Sequence, residues 1–243
     1  MIRDYFRFSY ESIRKRKLRS YLTMIGIFIG IAAVVSLISL GQGLQSAIDE
    51  QFKGVGSDKI IVSPGGGFGP PGASASKLTE EDKKVIERVK GVDVVAGATI
   101  KFVDVHFKSE SKYLAVMGMP LDEKEKKVLM ESAHNMKIIS GRELDSGDGS
   151  SAIVGYAFTQ KNTLFSTAAS VRDTIALDGK NFKIVGVAAK VGNPSDDGAV
   201  FIPIDVSQEM FGVTNEFDYF YVRIESGENV TKVANSIEEA MRK

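Results

Sequence analysis

The sequence contains no cysteine. Disulfides, cysteine-based metal sites and Cys-His catalysis are therefore excluded, while the compartment stays open. Histidine is scarce. His106 and His134 fit neither an HExxH nor an HxxxH pattern, so the helical zinc motif is absent. There is no GxSxG nucleophile elbow. The glycine-rich stretch PGGGFGPPGASAS at 64–76 lacks the Lys-Ser/Thr that closes a phosphate-binding loop, and it reads as a mobile loop. Asp145 and Asp148 in DSGDGS do not have the alternating spacing of a calcium loop. Asp196-Asp197-Gly198 reads as a turn. Beyond Arg19 there is no basic surplus: 24 basic residues face 29 acidic ones, a net of −5. Such a surface binds nucleic acid poorly. Internal repeats and long linkers are also missing. These absences point away from an enzyme, and no cofactor is expected on this chain itself.

What is present is concentrated near the start. Residues 14–43 read RKRKLRSYLTMIGIFIGIAAVVSLISLGQG, a basic knot followed by an uncharged run from Tyr21 to Leu40. Twenty helical residues span about 30 Å, the thickness of a bilayer's hydrocarbon core. The run is apolar on every face, unlike a soluble amphipathic helix. It is longer than the roughly 7–15 apolar residues of a cleaved signal peptide. A retained transmembrane helix over 21–43 is expected. Residues 1–19 hold seven basic side chains against Asp4 and Glu11, which places the N-terminus in the cytoplasm and the rest outside. Within the cytoplasmic segment 1–20, Ile2, Phe6, Tyr10 and Ile13 recur at helical spacing, as in a helix lying on the inner leaflet. The alternative is a disordered basic leader. Gly26 and Gly30 form a GxxxG pattern, which suits close packing against a partner helix. Leu44, Ile48 and Phe52 continue the helical period and predict a stalk over 44–56.

The remainder, 57–243, reads as an α+β domain. Lys59–Ser63 is a strand. Thr79 caps a helix over 80–90 whose first turn is acidic. Two strands or a bent pair cover Val92–Lys108 and Lys112–Met119. A short helix follows at 122–130, a strand at Ala152–Gly155 and a helix at Tyr156–Leu164. Asp178-Gly179 joins two β runs and predicts a type I′ hairpin. Ala199–Ile204 is a strand with Pro203 at its end. A short helix covers 205–211, Phe217–Ile224 is a strand, and Asn229 or Thr231 caps a closing helix through Met241. The order suggests a discontinuous β-α-β subdomain (57–110 and 214–243) with a strand-rich subdomain (111–213) inserted in it.

Several short patterns occur together in this stretch. Gly141-Arg142-Glu143-Leu144-Asp145 forms an acidic turn. Ile153-Val154-Gly155 is followed by Leu164-Phe165. Gly179, Phe182, Ile184, Val185, Gly186 and Val187 form a G-x-x-F-x-I-V-G-V run, and Ile202-Pro203 ends a strand. The first membrane segment reads R-K-x-R-S-x-L-T-x-x-G-I-x-I-G from Arg16 to Gly30. In order and spacing, over nearly the whole chain, this resembles the permeases of MacB-type ABC transporters. That wider group includes FtsX and the lipoprotein-releasing permeases. The shared residues read as fold determinants: Gly179 for the hairpin, Val185 and Val187 alternating into a core, Gly141 and Gly155 at tight turns. The resemblance implies four membrane helices with this external domain between the first two. It also implies a second permease copy and a separate ATPase subunit that binds ATP and Mg. Motion would pass along the membrane helices and stalks, set in membrane lipid, to the external domain, where an adaptor or cargo engages; no nucleic acid is implied. The sequence departs from the family by ending at Lys243, near the expected second membrane helix. On this reading the chain transports nothing alone. The rival reading is a single-pass, membrane-anchored binding or sensor domain; an extracellular enzyme is a third.

Overall fold

A computed structural model of the chain describes residues 17–55, 58–64, 77–132 and 136–242, with side chains undescribed for Lys17, Arg19, Ser20 and 45–55. The amphipathic segment at 2–13, His134 and most of the glycine-rich loop lie outside the described residues. The chain divides into two compact units, Met1–Gln51 and Phe52–Lys243.

The first unit is dominated by helix α1 (Lys17–Val55), 39 residues long. Within it Tyr21–Leu44 has a mean hydropathy of 2.4 and no buried side chain. Leu22, Phe28, Ile29, Leu37 and Leu40 are each more than 60% exposed. In water such a surface is strongly unfavourable, at about 25 cal/mol per Å² of apolar area.

The second unit mixes strands and short helices. In chain order these are β1 (Lys59–Val62), β2 (Leu78–Thr79), α2 (Glu80–Glu87), β3 (Val92–Phe107), β4 (Glu110–Met119), α3 (Glu123–Ser132), β5 (Ile138–Gly141) and β6 (Ser151–Val154). They continue with β7 (Thr174–Leu177), β8 (Lys180–Ala188), α4 (Pro194–Asp197), β9 (Val200–Pro203), α5 (Ile204–Phe211), β10 (Glu216–Phe217), β11 (Tyr219–Ile224) and α6 (Val230–Met241).

Strand β3 organises the domain. Its first half pairs antiparallel with β11, which also pairs with β1. Its second half pairs with β4 and, at Val105 and His106, with β7. β4 then pairs with β9, β9 with β6, β6 with β8 and β8 with β7. The pairing β3-β4-β9-β6-β8-β7 returns to β3 and forms a closed ring, which leaves those strands few free edges.

Burial follows this layout. Val95 to Ile100 of β3 are buried on both faces, because this part lies between layers. From Val103 the burial alternates, with Val103, Val105 and Phe107 inward and Asp104 and His106 exposed, as a barrel wall requires. The ring encloses Phe107, Phe158, Phe165, Ile175, Leu177, Ile184, Val200 and Ile202. A second core, with Met119, Leu129, Leu144, Ile153 and Phe201, backs the wall formed by β4, β6 and β9. A third joins Ile86, Phe220, Val222, Val233 and Ile237 under the β1-β11-β3 sheet.

Local signals match local structure. Thr79 and Asp82 form a reciprocal capping box on α2, with Thr79 N–H donating to Asp82 Oδ2 at 2.8 Å. Asn229, rather than Thr231, caps α6 by accepting from Lys232 N–H at 3.0 Å. Asp178 and Gly179 have φ of 46° and 82°, the pair of positive angles a type I′ turn needs.

The helix expected at Tyr156–Leu164 is only a short 3-10 turn, Tyr156–Thr159. Asn162 adopts φ 61° and donates to Phe165 O, so the chain folds back. This brings the Phe158 and Phe165 rings within 5.6 Å inside the barrel. Burying both rings outweighs extending the helix.

Candidate functional site

The residues singled out in the sequence fall in two places. Gly26 and Gly30 lie on α1, where a Cβ at either would meet no heavy atom within 4 Å. Among the described residues no other helix lies against that face. Leu44 is exposed on the same helix; Ile48 and Phe52 belong to it by backbone, and their side chains lie outside the described residues.

Two of the short patterns, Gly141-Arg142 and Val185-Gly186, meet at the end of β5. Gly141 pairs with Gly186 of β8. Gly141 has φ 79°, and a Cβ there would lie 2.1 Å from Val185 O. A Cβ on Gly186 would lie 2.3 Å from Arg142 O. Glycine at both positions lets the two backbones touch, and Arg142 N–H donates to Val185 O at 2.9 Å. The register between β6 and β8 shifts at this point: Ala152 pairs with Ile184, and Ile153 with Gly186. Val185 is the extra residue of this bulge. Instead of sharing one face, Val185 packs on the second core and Val187 enters the barrel. This corrects the simple alternation read from the sequence.

Arg142 then closes the turn that follows. Its Nη2 donates to Asp148 Oδ1 at 2.8 Å, and its Nη1 to Oδ2. Asp148 also accepts from Asp145 N–H and Ser151 Oγ, each at 2.8 Å. The Arg142 guanidinium, with the backbone and hydroxyl donors, holds the nearly buried Asp148 carboxyl well below its ordinary pKa. A carboxylate with this many donors is a structural clamp. Among the described residues no group of three or more metal-ligating side chains forms.

The remaining positions are separate from this cluster. Gly155 follows β6, and its N–H donates to Ala199 O at 2.9 Å. Gly179 sits in the β7-β8 hairpin, and Pro203 ends β9 where α5 begins. His106 is exposed on the outer barrel face.

Among the buried polar residues not anticipated, Asp218 carries a charge. Asp218, 6% exposed, pairs with Lys77 and accepts from Ile100 N–H at 2.8 Å. It ties the strand after the glycine-rich loop to β3. The available signal was a lone carboxylate inside the β run FDYFYVRI. Nearby, burial pushes the Tyr221 hydroxyl up to about 12.

Comparison with known proteins follows this geometry. The model of the MacB-like periplasmic core domain matches residues 20–240. An ABC transporter permease of Methanocaldococcus jannaschii is 32% identical over 240 residues, covering 99% of this chain and 58% of that protein. The macrolide export ATP-binding/permease protein MacB of Chlorobaculum tepidum is 28% identical over 245 residues, covering 97% of this chain and 37% of that protein. The chain spans about half the length, or less, of these curated relatives. Among solved structures, the periplasmic region of MacB from Actinobacillus actinomycetemcomitans aligns with a TM-score of 0.62 at 15% identity, covering 78% of this chain and 85% of that one. The extracellular domain of the transporter YknZ from Gram-positive bacteria aligns with a TM-score of 0.55 at 17% identity, covering 74% and 91%. These last two likenesses are of fold. With a family match over most of its length, a mixed α and β external domain and one N-terminal apolar helix among its described residues, the chain belongs to the MacB-like periplasmic core domain family.

Proposed function

We propose that the chain is the first membrane helix and external domain of the permease subunit of a MacB-type ABC transporter. The observation that carries this reading is the direct sequence of a 24-residue exposed apolar span, Tyr21–Leu44, and a MacB-like core domain. Such a span covers about 36 Å at 1.5 Å per residue, enough to cross a bilayer with some tilt. The basic residues before it keep the N-terminus in the cytoplasm and the domain periplasmic or extracellular.

In this reading the exposed faces of α1 are completed by lipid, by the subunit's further membrane helices and by a second permease copy. Gly26 and Gly30 mark the side of closest approach. A separate ATP-binding subunit binds ATP and Mg and performs hydrolysis. Its motion passes along α1 and the stalk at Leu44, Ile48 and Phe52 to the external domain, where export or handling of an extracytoplasmic substrate takes place. The names of the M. jannaschii and C. tepidum relatives support the transporter assignment.

The test is purification of the complete permease subunit from its membrane in mild detergent. The proposal expects an ATP-binding subunit to co-purify in near-equal amount, with ATPase activity that depends on the permease. A monomeric single-pass protein with no ATP-binding subunit contradicts it and favours the anchored-sensor reading.

A further inference from the structure

Strand β3 serves two parts of the external domain. Between Val92 and Ala98 it pairs with β11, and from Thr99 to Phe107 it pairs with β4. The exchange of partners falls between Ala98 and Thr99, on one uninterrupted strand of 16 residues. The sheet of β1, β11 and the first half of β3 lies on one side of this point, and the barrel on the other. Parts joined by a single strand move against each other unless an apolar interface and further ties cross the joint.

Two polar ties hold the exchange point itself. Asp218, just before β11, donates its N–H to Ala98 O at 2.9 Å and accepts from Ile100 N–H at 2.8 Å. One residue therefore grips β3 on both sides of the exchange. The buried Thr99 and Ser207 hydroxyls lie 2.7 Å apart and fasten the same point to α5.

The larger tie is α3. In chain order it lies between β4 and β5, yet it packs on the β1-β11-β3 sheet. Val128 and Leu129 are fully buried in the second core, with Ala96 and Ala98 of β3 and the half-buried Tyr221 of β11. The same core holds Ile153 and Phe201 of the barrel wall. Glu131 pairs with Lys59 of β1 at 3.3 Å, and Glu125 with Lys83 of α2 at 2.7 Å. Lys59 also meets Asp58, and Glu131 also meets Lys127. Both lysine side chains are largely buried, 7% and 12% exposed, so these pairs are shielded from water. Lys126, beside Glu125, has partners in the segment between β5 and β6. It donates to Leu144 O at 3.1 Å and pairs with Glu143 at 3.3 Å. One helix thus holds the sheet through its carboxylates and the barrel through an ammonium group.

We infer that α3 is a strap that locks the β1-β11-β3 sheet and the barrel into one rigid lever. β1 is the first strand after α1 in the chain. Displacement of that strand is carried to the barrel through α3 instead of being absorbed by bending of β3. This deepens the permease reading and takes its purpose from it, but the lock itself requires neither ATP nor a partner.

The test measures distances between paired spin labels on the full chain in detergent micelles. The chain has no cysteine, so labels go only where cysteines are introduced. Glu239→Cys on α6 with Lys183→Cys on β8, both at exposed positions, reports the distance from sheet to barrel. Ser111→Cys with Lys183→Cys is a reference pair within the barrel. The inference expects one sheet-to-barrel distance, spread no more widely than the reference. Two distances, or a clearly wider spread, overturns it. Lys59→Met combined with Lys83→Met leaves Glu131 and Glu125 half-buried without those partners, which disfavours the seated helix. This double variant is expected to widen the sheet-to-barrel distribution and leave the reference unchanged. An unchanged sheet-to-barrel distribution, or equal widening of both, overturns the strap. A wide distribution in the wild-type chain would leave co-purification of the ATP-binding subunit unaffected. Failure of that co-purification would leave the distance unchanged, so the strap and the permease reading fail separately.

Discussion

The membrane helix and the external domain use the same residue types in opposite ways. Over Tyr21–Leu44 of α1 the Ile, Leu, Val and Phe side chains are all exposed. In the domain such side chains converge on three interior clusters. The domain's burial is internal, so its stability belongs to its own fold. Among the described residues the span Tyr21–Leu44 packs no side chain into an interior, so in the proposed reading its free energy depends on lipid and on other helices. A substitution should therefore reveal which unit it touches by where the change is measured.

The largest effect is expected at Phe220, which is fully buried and packs on Phe217 with ring centroids 5.2 Å apart. Phe220→Ala should cost about 3–5 kcal/mol, read from denaturant unfolding of the external domain in detergent. Phe28→Ala, at a position 67% exposed on α1, should leave that transition unmoved. Equal losses would erase the distinction between the units.

A smaller effect is expected at Asp148. Asp148→Asn should destabilise the domain by about 1–3 kcal/mol, the usual cost of losing charge-assisted bonds at a nearly buried acceptor. The folded carboxyl titrates below its ordinary range. Its stabilising contribution is thus present above about pH 4 and is lost as pH falls below that value. The wild-type chain should lose this increment on acidification and Asp148→Asn should lack it, so the two stability curves should converge at low pH.

These two sites also show what the sequence reveals about the fold. The apolar run, the Thr79 cap, the Asp178-Gly179 turn and the β character of 217–224 are local, set by neighbours a few residues apart, and the structure agrees with each. The closure of the barrel is not local. β7 bridges β3 and β8, and its pairing with β3 spans about seventy residues of chain. The bulge at Val185 likewise depends on where β6 and β5 lie, so strict alternation misplaced that side chain. Arg142 and Asp148 were both visible as residues, but their pairing required the Gly141–Gly186 contact that turns the chain. The 3-10 turn at 156–159 replaced a helix for the same reason: Phe158 and Phe165 answer to the barrel interior rather than to local propensity.

The smallest effect is expected at the paired glycines of α1. Replacing both Gly26 and Gly30 with alanine should leave the unfolding of the external domain unchanged, since no described residue lies within 4 Å of the added methyl groups. If partner helices pack there, the same double substitution should weaken assembly of the complete permease in detergent. No change in either measurement would remove these glycines from the account.

The central claim is that α1 is a retained membrane span with the domain outside. The natural absence of cysteine makes this directly measurable. Ser12→Cys and Ser146→Cys, the latter at an exposed position, are each probed with a membrane-impermeant maleimide on whole cells, or on spheroplasts where an outer membrane is present. The account predicts that Ser146→Cys is labelled on intact cells, and that Ser12→Cys stays on the same membrane-bound chain and is labelled only after lysis. Labelling of Ser12→Cys on intact cells, or release of a soluble chain that has lost its N-terminus, would contradict it.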